Sequence, residues 1–123
     1  MMEQLKKFVE LVEQIFEKTE ADEIQWMETS DENRFTTLLR SGGIQIERIQ
    51  YEDEDSFPTP YYEVTLLNSK SQPIQSFQSN SILPAGVKPS LLGNLFKLAQ
   101  FNARKGAGVL DALLTEVHAI ASQ

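Results

Sequence analysis

The chain contains no cysteine among its 123 residues. This absence excludes disulfide bonds, thiolate nucleophiles and cysteine-ligated metal sites within the chain. Its single histidine, His118, would lie beside Leu114, Val117 and Ala121 on a helix. No nucleophile or orienting carboxylate stands at a suitable spacing from it. We therefore expect His118 to be a surface or boundary residue, and we predict no catalytic residues, no metal ligands and no cofactor.

Long apolar runs are also lacking. No segment approaches the ~20 apolar residues that span a bilayer. The first residues, MMEQLKKFVELVEQ, mix charged and apolar side chains, so we expect no signal peptide. These features predict a soluble, cytoplasmic protein that does not enter a membrane.

Positive charge is scarce: 11 Lys and Arg stand against 18 Asp and Glu, for a net charge of −7. Such a balance repels phosphate backbones. The densest basic group is Lys97, Arg104 and Lys105, near the predicted end of a helix, where cations complement the helix dipole. We therefore expect no nucleic-acid partner.

What is present is an ordinary globular composition, with 41% hydrophobic and 24% charged residues. The length predicts a single domain over residues 1–123. Helical periodicity begins the chain over residues 2–18, and two further apolar stripes at helical spacing follow Pro89. A glycine, Gly106 or Gly108, is expected to separate the last two helices. The stripe of the last helix consists of Val109, Leu110, Leu113, Leu114, Val117 and Ile120.

Between the helices, alternating and β-branched segments predict five strands, over residues 24–29, 35–40, 44–51, 61–67 and 73–79. Pro73 cannot donate to a ladder, so the fifth strand is expected at a sheet edge. Strands and helices occupy separate parts of the chain. This order predicts an α+β fold, an antiparallel meander with one N-terminal and two C-terminal helices packed on it.

The segment Ser41-Gly42-Gly43 predicts a hairpin turn with the two glycines as loop residues. It leads to a strand rather than a helix, so it does not resemble a phosphate loop. Leu39 would then lie opposite Ile46, and Thr37 opposite Arg48. The face toward the helices would carry Phe35, Leu39, Ile44, Ile46, Tyr62, Val64 and Leu66. The opposite face would carry Leu38, Ile49, Tyr51, Tyr61 and Leu67.

Four consecutive acidic residues separate the third and fourth predicted strands, namely Glu52, Asp53, Glu54 and Asp55. Carboxylates suit Ca²⁺ or Mg²⁺, but a dedicated loop alternates its ligands around a glycine. Here the acids are contiguous, no glycine follows, and Pro58 and Pro60 stiffen the exit. We interpret the run as a solvated loop, with an acidic docking patch for a basic partner as the alternative.

Trp26 is the only tryptophan. It could anchor an interface or stack on a ligand. Large aromatic residues more often fill a core while the indole N–H finds one partner. We predict a core position for Trp26.

The stretch EQIFEKTEADEIQWMET and the tail LGNLFKLAQFNARKGAGVLDALLTEV together resemble a small bacterial domain family of unassigned function. Its members have an N-terminal helix ending in Thr, a Trp-containing strand, a β-meander and a helical tail rich in Leu and Ala. The matching positions are Thr19, Trp26, Thr29, Leu95, Ala99, Ala103, Asp111 and Leu114. The turn at residues 68–72 lacks the glycine that the pattern expects. The resemblance implies a fold and a bacterial origin, and it brings no catalytic residues.

Two functions follow as hypotheses. The first is a non-enzymatic interaction or assembly module that binds a protein partner or a second copy. Its surface would be the second sheet face (Leu38, Ile49, Tyr51, Tyr61 and Leu67) or the edge strand, since exposed apolar patches usually mark interfaces. The alternative is a small-ligand or regulatory domain with a cleft between the sheet and the 80–89 connection. An enzyme is disfavoured because no nucleophile, base or metal-ligand set is visible.

Overall fold

The computed structural model describes residues 2–50, 60–80, 87–88 and 90–121. The predicted α+β class is confirmed: one helix, five antiparallel strands and two helices follow each other along the chain. The elements are α1 (Met2–Glu20), β1 (Met27–Glu28), β2 (Arg34–Leu39), β3 (Gly42–Ile49), β4 (Tyr61–Asn68), β5 (Pro73–Gln78), α2 (Leu91–Ala103) and α3 (Gly106–Ala121).

The sheet is a simple meander, because each strand pairs with its sequence neighbour in the order β1-β2-β3-β4-β5. β5 is therefore an edge strand, as Pro73 predicted. The pairing of β4 with β5 shifts its register between Leu66 and Leu67. An irregularity of this kind bends the edge and disfavours pairing with another chain.

The β2–β3 hairpin turns two residues earlier than the sequence predicted. Leu39 pairs with Gly42 and Thr37 with Ile44, so the predicted partners Ile46 and Arg48 are wrong. Arg40 and Ser41 form the turn, and both glycines belong to β3. The partner of Leu39 moves by four residues, an even number, so the described side chains of β2 and β3 stay on their predicted faces.

A steric requirement explains why a glycine lies inside β3. A Cβ atom on Gly42 would overlap the backbone carbonyl oxygen of Leu67 on the neighbouring strand. A Cβ on Gly43 would lie 2.7 Å from the carbonyl oxygen of Thr37. The two glycines allow close backbone approach in the strand rather than forming the turn.

The hydrophobic core lies between α1, α2 and one face of the sheet. Phe8 of α1 meets Phe77 of β5 edge-on, with ring centroids 5.0 Å apart. Phe96 of α2 packs at 5.5 Å against Phe35 of β2. The buried cluster comprises Phe8, Val9, Val12, Ile15, Trp26, Phe35, Ile44, Ile46, Val64, Phe77, Leu92, Leu95, Phe96 and Ala99.

Trp26 is buried, so its predicted core position is confirmed. Its indole N–H donates to the hydroxyl oxygen of Thr19 at 3.0 Å. The Thr19 hydroxyl donates in turn to the carbonyl oxygen of Ile15 at 2.7 Å. The predicted first strand over residues 24–29 is shorter in the structure, where β1 is Met27–Glu28. Trp26 therefore lies just before β1.

The break between α2 and α3 falls at Arg104 and Lys105 rather than at a glycine. Lys105 has a left-handed backbone with φ of 57°. Gly106 begins α3, and the N–H of Val109 donates to the carbonyl oxygen of Lys105 at 3.1 Å. The expectation that a glycine would end α2 is therefore wrong.

Candidate functional site

The apolar side chains of α3 are exposed. From Ala107 to Ile120 no residue of this helix is buried or half-buried. The six large apolar residues remain 49% to 72% exposed: Val109, Leu110, Leu113, Leu114, Val117 and Ile120. We call these six residues the α3 stripe. Soluble domains rarely leave such a continuous apolar surface uncovered unless it binds something.

The α3 stripe occupies one side of the helix. With successive residues turned by about 100°, its six members fall within an arc of about 140°. Glu116 adjoins one edge of this arc, and Asp111 and His118 lie beyond the other. The helix carries no Lys or Arg. The surface is thus an apolar strip with acidic flanks.

The sequence predicted this stripe but not its exposure. An amphipathic pattern shows that one face of a helix must pack against another surface. It does not identify that surface. One signal was available in the sequence. α1 alternates apolar with charged residues throughout, whereas α3 has only Asp111 and Glu116 as charged residues in its 16 positions. A helix this apolar usually contacts more than one surface.

The predicted interface on the second sheet face is divided. The register places Leu38, Ile49, Tyr61 and Leu67 together on the face away from the core. Leu38 is 50% exposed, but Leu67 is only 7% exposed and offers no free side chain. Ile49 and Tyr61 are half-buried. Tyr51 lies outside the described residues.

Polar rows separate the two ends of this second face. Thr36, Gln45 and Thr65 form one row, and Arg34, Glu47 and Glu63 the next. Leu38 lies in the row of Gly43, six residues from Ile49, which corresponds to about 20 Å along the strand. The apolar residues of the outer face therefore do not form one continuous patch.

A second apolar surface lies on the helix-bearing side of the sheet. A groove of about 320 Å³ separates α1 from the strand ends near the β2–β3 turn. Three of its apolar lining residues are exposed: Leu11 at 36%, Leu39 at 51% and Ile74 at 61%. It continues into a neighbouring depression that shares Leu11, Leu66 and Ile74 and adds Gln4, Lys7, Phe8 and Gln75. We call the two together the α1 groove.

A further cleft of about 320 Å³ bears on the small-ligand alternative. It lies between α1 and the residues leading into α2, rather than against the sheet. Of the 80–89 connection, the structure describes residues 80, 87 and 88. The lining residues are Glu13, Phe16, Val87, Lys88, Ser90, Leu91 and Asn94.

Two ion pairs join neighbouring elements of the fold. Arg34 of β2 pairs with Glu47 of β3 at 3.1 Å, across the outer face. Arg104 pairs with Glu28 at 2.9 Å and lies over the ring of Phe35. Each pair is partly exposed to solvent, where such interactions contribute only modestly to stability.

The remaining candidate residues form no reactive arrangement in the part of the chain that the structure describes. Within it, no three His, Asp or Glu side chains lie close enough to hold a metal ion. His118 lies on the exposed helix α3. The acidic run Glu52, Asp53, Glu54 and Asp55 lies outside the described residues. Over the described ranges, no helix is long and apolar enough to cross a membrane.

Comparison of the chain with protein-family models, with curated proteins and with solved structures finds no match. Inferences about its function therefore depend on its own geometry.

Proposed function

We propose that this chain is a non-enzymatic assembly module of a bacterial cytosolic protein, and that it associates with a second copy through α3. The observation that carries the proposal is the exposure of the α3 stripe, where every large apolar side chain is about half exposed or more. Burial of such surface against a protein partner removes it from water, which is the dominant driving force for association.

The magnitudes favour a symmetric arrangement. Full burial of a Val, Leu or Ile side chain is worth about 1.5–3 kcal/mol, so covering the exposed half of six gives roughly 5–9 kcal/mol. Association itself costs an estimated ~4–15 kcal/mol. One helix stripe therefore barely offsets this cost. A two-fold dimer uses the same surface twice and doubles the gain.

The charge pattern distinguishes a protein partner from a lipid surface. Helices that lie in a membrane interface are rich in Lys and Arg on their polar face, which attract anionic headgroups. The α3 helix carries Asp111 and Glu116 and neither Lys nor Arg. Anionic lipids would repel it.

The outer sheet face is a weaker candidate for the same role. Its exposed apolar residue Leu38 is separated by polar rows from Ile49 and Tyr61, and Leu67 is buried. Interface cores need contiguous, desolvated apolar contacts. The α3 stripe meets this requirement within a single helix.

Sedimentation velocity over a micromolar concentration range tests the proposal. We expect a concentration-dependent dimer for the natural chain and a monomer for Leu113→Asp and Val117→Asp. The matched control is Thr115→Asp, on the polar side of the same helix, which should still dimerise. A natural chain that stays strictly monomeric throughout the range contradicts the proposal.

Amide hydrogen exchange supplies a second readout. An uncovered helix opens locally and exchanges quickly, whereas a helix at an interface is protected. We expect the protection of residues 109–120 to rise with protein concentration while that of β3 stays constant. Protection that is independent of concentration would argue against assembly through α3.

The cleft between α1 and the start of α2 supports a second candidate function, small-ligand binding. Its lining combines the apolar Phe16 and Leu91 with the polar Ser90, Asn94 and Lys88. Ligand sites typically pair an apolar wall with a few orienting polar groups. A thermal-shift screen of metabolites should raise the Tm for a true ligand, and Asn94→Leu should abolish that rise. A shift that survives this substitution places the ligand elsewhere.

A further inference from the structure

We infer that the α3 helix of one copy lies in the α1 groove of the other, so that two chains exchange their C-terminal helices reciprocally. This inference rests on the proposed function and names the surface that receives α3. The shape, length and charge of the two surfaces support it.

The groove is an apolar surface of the kind that accepts a helix. Its floor and walls include Leu11, Ile15, Leu39, Ile44, Leu66 and Ile74. Leu39 and Ile74, on opposite sides of the sheet end, are each more than half exposed. Amphipathic helices bind proteins by laying their apolar face into such grooves, with anchors at three- and four-residue spacing.

Direct pairing of two α3 helices is a poorer solution. Leu110, Leu113, Val117 and Ile120 follow the three-four spacing of a coiled-coil seam, but for two heptads only. Coiled coils generally sustain this spacing for at least three or four heptads. A helix of this length therefore needs a larger apolar surface, which the folded body of a second copy provides.

The two surfaces match in length. Along α1, the groove extends from Gln4 to Ile15, and the α3 stripe extends from Val109 to Ile120. Each interval spans eleven residue steps, or about 16 Å at the rise of an α-helix. The stripe of one chain can therefore lie along the whole groove of another.

The charges are also complementary. Among the described residues that line the groove there is no acidic side chain, and Lys7 carries the charge. Arg40 and Lys70 belong to the two strand turns that border it. The α3 helix presents Asp111 and Glu116 beside its stripe. Opposite charges at the rim favour this partner and its orientation over unrelated apolar helices.

Within one chain, the α3 stripe does not pack into the α1 groove. The α3 stripe and the groove residues Leu11, Leu39 and Ile74 are exposed in the same molecule. Exchange between two copies covers both surfaces in both chains and closes the assembly, because each chain gives one helix and receives one.

Engineered disulfides test the contact directly, since the chain has no cysteine of its own. Ile74→Cys is combined in turn with cysteine at positions 110, 113, 117 and 120, and the purified proteins are oxidised. We expect at least one combination to give a covalent dimer on a non-reducing gel. The matched control, Ile74→Cys with Thr115→Cys, should give none. A disulfide closed within a single chain in every reactive combination overturns the exchange.

A charged substitution in the α1 groove tests the docking of α3 separately from dimerisation through α3. Ile74→Arg should weaken dimerisation about tenfold or more, as loss of an interface anchor does. Ser76→Arg, exposed on the outer side of the same strand, should not. Circular dichroism and urea unfolding confirm that both variants fold.

Three outcomes are then distinct. Loss of the dimer in both Leu113→Asp and Ile74→Arg supports exchange. A dimer that survives Ile74→Arg but not Leu113→Asp overturns the groove and leaves assembly through α3 intact. A monomeric natural chain overturns both.

Discussion

The side-chain oxygen of Asn102 accepts a hydrogen bond from the backbone N–H of Trp26 at 2.6 Å, although 76 positions separate the two residues. The amide group of Asn102 also donates to the carbonyl oxygen of Ile24 at 3.1 Å. One side chain near the end of α2 thus satisfies a donor and an acceptor of the backbone that leads into β1. It ties the edge of the sheet to the helix layer.

We predict that Asn102→Ala destabilises the fold by about 1–3 kcal/mol, because it leaves a partly buried backbone N–H and C=O without partners. Urea unfolding followed by the fluorescence of Trp26, the only tryptophan, measures this change. Asn94→Ala, on the exposed side of the same helix, is the control and should change stability by less than ~0.5 kcal/mol. Equal losses of stability in Asn102→Ala and Asn94→Ala would contradict the structural role assigned to Asn102.

A second prediction concerns the relay from Trp26 through Thr19 to Ile15. Thr19→Val keeps the shape of the side chain but removes the acceptor of the buried indole N–H, at a cost of about 1–3 kcal/mol. Thr19→Ser retains the hydroxyl and should cost less.

The double variant Thr19→Val with Trp26→Phe isolates the hydrogen bond. In the Trp26→Phe background there is no indole N–H, so Thr19→Val leaves no buried donor without an acceptor. The destabilisation caused by Thr19→Val should therefore be smaller by about 1 kcal/mol than in the natural chain, as a double-mutant cycle measures. Strict additivity would mean that the indole N–H gains nothing from Thr19.

The third prediction tests the close approach of strands at Gly42. Gly42→Ala forces its methyl group against the carbonyl oxygen of Leu67, so we expect a loss of about 1–3 kcal/mol or a shifted β3–β4 register. Gly108→Ala is the control, because beyond the neighbouring residues and backbone of α3 itself no atom lies within 4 Å of the added methyl group. That substitution should strengthen α3 by up to about 1 kcal/mol. Thermal unfolding and hydrogen exchange report the two effects.

The fourth prediction separates the core from the α3 stripe. Leu95 is fully buried, so Leu95→Ala should cost about 2–5 kcal/mol. Leu113 is 51% exposed, so Leu113→Ala should cost less than ~1 kcal/mol in dilute solution, where the chain is dissociated. A large loss from Leu113→Ala under those conditions would show that α3 packs within its own chain.

The sheet was predictable because its strands alternate. Ile44 and Ile46 in β3, and Val64 and Leu66 in β4, recur at a period of two, which fixes both strand identity and face. The turn was misplaced because Gly42 and Gly43 resemble loop residues. Their need for glycine comes from the neighbouring strand, and contacts from a distant part of the chain leave no local signal.

The candidate site was predictable only in part. The periodicity of α3 gave the stripe, but the same periodicity would describe a helix buried on the sheet, as α2 is. The difference depends on where the chain turns after Ala103. Asn102 was missed for a similar reason: nothing in the sequence around it identifies Ile24 and Trp26 as its partners.

The direction in which α3 leaves the body depends on one left-handed residue. Non-glycine residues adopt that conformation at a cost of about 1 kcal/mol, and Lys105 does so with a φ of 57°. If its backbone became helical, α2 and α3 would fuse into one straight rod and the apolar strip would point along a different axis. The symmetry and spacing of any assembly are therefore open to evolutionary change at a single position, without alteration of the sheet, the core or the strip itself.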